Sequence, residues 1–143
     1  MTGIIFSIIA GVAMSVQGVF NTALSKKIGL FESNTFVQGT AFILSFIIML
    51  IFGSGSFKEI MTVKKIYLLG GAIGVIITIA VMLSIKNLSP TVAISIILIA
   101  QLTSAAVIDI FGLFEAEKIN FHITHIIGIA LMIAGVIVFK LKS

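Results

Sequence analysis

Five uncharged stretches, 1–25, 33–57, 66–85, 87–108 and 119–139, consume most of the 143 residues and crowd the charges into the short segments between them. Each stretch carries roughly 20 mostly apolar residues, which at about 1.5 Å of helical rise per residue crosses a hydrocarbon core about 30 Å thick. A backbone in lipid must satisfy its own hydrogen bonds, so such stretches fold as helices. The sequence therefore predicts an all-α integral membrane protein, one transmembrane domain over 1–143, with spans near 4–25, 33–53, 66–85, 90–111 and 121–139.

Composition agrees: 59% of residues are hydrophobic and only 10% charged, too little polar surface to cover a soluble domain of this size. Little length remains for an aqueous domain. The formal charge of +4 comes from lysines flanking the spans, a pattern suited to lipid headgroups and not to nucleic acid. Cysteine is absent, which excludes disulfides and thiolate metal sites. The segment Met1-Thr2-Gly3 lacks the basic start of a signal peptide, so the first run reads as a retained helix. Short loops with lysine as the only basic residue suit a bacterial inner membrane.

Threading the spans alternately places Lys58, Lys64, Lys65 and Lys118 on one side, and Lys26, Lys27, Lys86, Lys140 and Lys142 on the other. Basic residues in short loops normally set orientation. Four against five sets almost none, so the chain is expected to insert both ways. Two opposed copies would then form an antiparallel ten-helix inverted-repeat bundle, with lipid and a second copy as partners.

Polar residues inside the spans are the candidate site. In the first span, Ser7, Gly11 and Ser15 recur every four residues as a ridge for close helix approach. Gln17 and Asn21 share a neighbouring face. Gln38 and Ser45 lie seven apart on the second span, and threading puts Gln38 at a depth similar to Asn21. Ser33 or Asn34 is expected to cap that helix. Gly70 and Gly74 repeat the close-packing spacing in the third span. Ser89 suits an N-cap before Pro90, the only proline, at the first helical position.

Gln101 lies mid-span in the fourth helix with Thr103 and Ser104 beside it, and Asp109 near its end. The amides Gln17, Asn21, Gln38 and Gln101, with Ser104, are candidate solute-binding groups; as packing glue between helices they would serve equally well. Asp109 and Glu32 are candidate proton-coupling carboxylates, or charges hydrated at the interface. Gly11, Ser15, Gly70 and Gly74 are candidate packing residues. His122 and His125 lack further ligands for a metal site and read as interfacial anchors. The segment 57–65 reads as a solvated connector or one or two interfacial helical turns. No metal or other cofactor is implied.

These blocks carry a family likeness. Gly11 to Asn21 with Leu24, Gln101 to Gly112 ending in Asp109-Ile110-Phe111-Gly112, the Ser89-Pro90 start, and the closing run Gly128 to Val136 together resemble the drug/metabolite transporter superfamily, in its short five-helix branch. The likeness follows nearly the whole chain in span order. It implies a ten-helix transporter assembled from two five-helix halves, here two copies of one chain. The four-helix multidrug exporters of the superfamily carry a mid-membrane glutamate in their first helix. Here Gln17 and Asn21 stand instead, and neither titrates.

The expected function is a secondary transporter, an exporter of a small polar or amphipathic solute, working by alternating access in an antiparallel homodimer. Two alternatives are a flippase for lipid or lipid-linked headgroups and a non-transporting structural or regulatory subunit. An enzyme is not expected, because the spans offer no nucleophile–base pair.

Overall fold

A computed structural model describes residues 2–120 and 122–141. Phe121, where the fifth span is expected to begin, and Met1 and Lys142 lie outside the described residues. Five α-helices follow one another: α1 (Thr2–Ile28), α2 (Leu30–Phe52), α3 (Gly70–Asn87), α4 (Pro90–Phe111) and α5 (Ile123–Lys140). All five are long and apolar enough to cross a membrane, the third with a 3-10 turn at Lys65–Leu69 added to its start. Among the described residues there is no strand. The chain divides into two compact units, one ending at Lys86 and one beginning at Asn87.

In the first unit α1 and α2 pack as a hairpin with one residue between them, Gly29. Its φ of +103° is open to glycine and hostile to other residues, and an added Cβ would run into the Glu32 carboxylate. Lys26 and Lys27 occupy the last turn of α1, and Glu32 the first turn of α2. Each charge thus meets the helix end of opposite polarity. Neither Ser33 nor Asn34 caps α2, contrary to expectation. The helix starts earlier, with Gly29 as its N-cap, and both side chains lie buried in the first turn.

The 57–65 connector resolves into helical turns. Phe57–Met61 is a 3-10 helix whose Ser56 hydroxyl accepts the Lys58 N–H at 3.2 Å, followed by the second turn at Lys65–Leu69. In the second unit, α4 begins as its sequence predicts. Ser89 is the N-cap, its hydroxyl accepting the Val92 N–H at 3.4 Å, with Pro90 at the first helical position. Gly112 closes α4 in the left-handed region at φ +61°, its N–H donating to the Ile108 carbonyl.

Many span hydroxyls are satisfied without leaving their own helix. Ser7 donates to Gly3, Ser15 to Gly11, Thr22 to Gly18, Ser95 to Thr91 and Thr103 to Ile99, each onto the carbonyl four residues back at 2.7–2.9 Å. Such a bond lets a hydroxyl face lipid at little cost. Side-chain amides have no equivalent, which singles out the glutamines.

Candidate functional site

In the first unit the polar groups gather on one stripe of α1. Gly18, Asn21, Thr22 and Ser25 follow the i, i+3, i+4, i+7 spacing of a single helix face, and the first three are buried. The Ser33 hydroxyl of α2 donates to the Asn21 carbonyl at 3.3 Å. Asn34, beside it in sequence, is also buried, and its Oδ1 is without a hydrogen-bond partner.

Close approach occurs at Gly18. A Cβ there would lie 2.9 Å from Ile85 Cδ1 and 3.0 Å from Val81 Cγ1, so two side chains of α3 rest against that glycine. The ridge expected at Gly11 and Ser15, and the Gly70/Gly74 pair, behave differently. Added Cβ atoms at Gly11, Gly70 and Gly74 would meet nothing within 4 Å, and Ser15 is half-buried. Within one chain these small residues leave open faces. The signal for Gly18 was present in sequence as the Gly-x-x-Asn-Thr-x-x-Ser stripe.

Of the three expected amides of this unit, Asn21 and Gln38 are drawn into its packing and Gln17 is not. Gln38 is half-buried, and its Nε2 donates to the Thr78 hydroxyl of α3 at 3.2 Å. Thr78 passes its own proton to the Gly74 carbonyl at 2.8 Å. Gln38 therefore pairs with α3 and not with Asn21. Gln17 is exposed, and its amide has no hydrogen-bond partner among the described residues. Glu32 is exposed at the hairpin.

The second unit holds a cavity of about 470 Å³ between α4 and α5. On α4 its lining is Leu102, Ala105, Ala106 and Asp109; on α5 it is His125, Gly128, Ile129 and Met132. Both sets follow the same i, i+3, i+4, i+7 spacing, one stripe from each helix. Ala105, Ala106 and Gly128 sit in the middle of those stripes, and small side chains at facing positions are what leave the space. Ile119, from the connector, completes the wall.

Asp109 is the one carboxylate in the cavity wall. It is half-buried, and its side chain has no hydrogen-bond or ion-pair partner among the described residues. His125 is placed by the start of α5, where it stands three residues after the N-cap His122. Its Nδ1 accepts the His122 N–H at 3.2 Å, while its own N–H donates to the His122 carbonyl at 2.9 Å. The histidine pair thus caps a helix, and one of the two also faces the cavity. Among the described residues no group of three or more metal-ligating side chains comes together. Gln101 and Ser104 are exposed on α4, neither bonded to another described residue, and neither lines the cavity.

A chain built of five membrane-capable helices, with its polar groups held on stripes and at helix ends, is by class a multi-pass α-helical membrane protein. Residues 2–138 match the family described as "Putative inner membrane exporter, YdcZ", and the chain belongs to that family. The resemblance read from Gly11–Asn21, Gln101–Gly112 and the closing glycine run is borne out by this match, and the protein is a multi-pass protein of the inner membrane. No curated protein and no solved structure matches the chain.

Proposed function

We propose that the protein is a secondary exporter made of two copies inserted in opposite directions, a ten-helix inverted-repeat bundle that moves a small polar or amphipathic solute by alternating access. The family description supports export. The observation that carries the assembly is the state of Gln17 and Gln101. Both amides are exposed in the middle of apolar helices and are unpaired among the described residues. Leaving such a group to hydrocarbon costs on the order of several kcal/mol. A second copy, or a solute path lined by both copies, removes that cost.

In this reading Gln17, Gln101 and Ser104 face the solute. Asn21 and Gln38 hold the helices that present them, and Asp109 and Glu32 are the coupling carboxylates. With identical protomers, each adopts the conformation its partner has just left, so inward- and outward-open states have equal energy by symmetry. The lysine balance supplies the opposed insertion that this requires.

The test is solute counterflow in proteoliposomes, screened over chemically diverse metabolites, with Gln17→Leu and Gln101→Leu as variants. Saturable counterflow that both variants lose while the dimer persists is the expected result. Dimer loss in both variants with no counterflow in the parent would assign the amides to packing alone. Movement of fluorescent lipid in place of any soluble metabolite would favour the flippase.

A further inference from the structure

The α4–α5 cavity combines apolar walls with one charge of one sign. Leu102, Ile129 and Met132 supply the greasy lining, and Asp109 supplies a carboxylate to which no described residue brings a compensating positive charge. Asp109 also lies two residues before the end of α4 at Phe111. The helix dipole is negative at that end, so carboxylate and dipole repel. Both are relieved by the same thing, a cation. His125 lines the same cavity from α5.

We propose that this cavity binds an amphipathic monovalent cation, an alkylammonium head against Asp109 with its apolar body between α4 and α5. The inference rests on the exporter reading and names a substrate class, with a holding site at Asp109 that is separate from Gln101 and Ser104, which do not line this cavity. A volume of about 470 Å³ lies within the roughly 300–1,000 Å³ range of small-molecule sites. An anion of the same size would meet the carboxylate and the dipole with the wrong sign.

The probe is hexyltrimethylammonium, compared with hexanesulfonate and 1-hexanol, in binding to the full chain in lipid nanodiscs. The cation is expected to bind saturably and at least tenfold more tightly than either comparison molecule. Asp109→Asn is expected to lose at least tenfold in affinity, while Asp109→Glu stays within a few-fold of the parent. Gly128→Leu should abolish binding by filling the space, and a Cβ at that position meets nothing within 4 Å, so the helix tolerates it. Equal affinity in Asp109→Asn, unchanged binding in Gly128→Leu, or no preference of the parent for the cation would each overturn the site. The last comparison requires no variant to fold. Counterflow of metabolites is measured without this probe. Intact counterflow with no cation binding removes the site and leaves the exporter; cation binding through Asp109 without counterflow upholds the site and removes the exporter.

Discussion

The backbone N–H of Ile119 donates to the carbonyl oxygen of Asp109 at 3.1 Å, tying the middle of a connector back to the helix it has just left. The bond satisfies one carbonyl of the last turn of α4, a group with no partner inside the helix. It also holds Ile119 in the cavity wall. The path between them is tight: Gly112, Phe114 and Glu115 all have positive φ, at +61°, +57° and +68°.

Gly112→Ala probes that path. A Cβ at Gly112 would lie 3.4 Å from its nearest neighbour, ordinary contact, so the cost is conformational. We expect about 1–2 kcal/mol of destabilisation for a left-handed alanine, read as a lower midpoint of unfolding in detergent. Ile119→Pro, which deletes the donor, should speed hydrogen exchange in the connector and leave α1 and α2 unchanged.

Gly18 should tolerate alanine and reject leucine. The atoms that a new Cβ meets are the ends of the Ile85 and Val81 side chains, which can shift by a few tenths of an ångström. Leucine cannot be housed that way, and overpacking of this kind costs about 1–3 kcal/mol. Thermal unfolding of the two variants beside Gly11→Leu checks the ranking. Gly11 faces open space in the single chain, so a leucine there should unfold like the parent as a monomer and reveal any contact made in the dimer.

The Gln38–Thr78 bond is a test of how much an interhelical amide contributes. A double-mutant cycle with Gln38→Leu and Thr78→Val should give a coupling of roughly 0.6 kcal/mol, the average for such bonds in membranes. A coupling of zero would mean that Gln38 is free to face solute after all.

The spans were legible because apolar runs and their limits obey simple physics. Ser89-Pro90 marked a helix start by its capping chemistry, and α4 begins there. The start of α2 was misjudged because Ser33 and Asn34 are good caps in isolation, whereas the tight Gly29 joint let the helix begin at Leu30 and turned both side chains inward. Gln38 bonds Thr78 on α3, a partner that depends on packing which spacing does not specify. The cavity could have been anticipated. Ala105, Ala106 and Gly128 lie on the stripes that carry Asp109 and His125, and small residues beside a half-buried charge signal space as readily as close packing. The positive φ at Phe114 and Glu115 left no trace in sequence, since neither residue favours that region.

Opposed insertion can be read directly, because the chain has no cysteine of its own. Single cysteines at Ser54 and Leu88, in the connectors before and after α3, are labelled in intact cells with a reagent that does not cross the membrane, then labelled again after permeabilisation. The account predicts that each position is modified to about half from outside, with the remainder reached only after permeabilisation, because each copy has an oppositely oriented partner. Complete external labelling at one position with none at the other would establish a single orientation and contradict the antiparallel exporter.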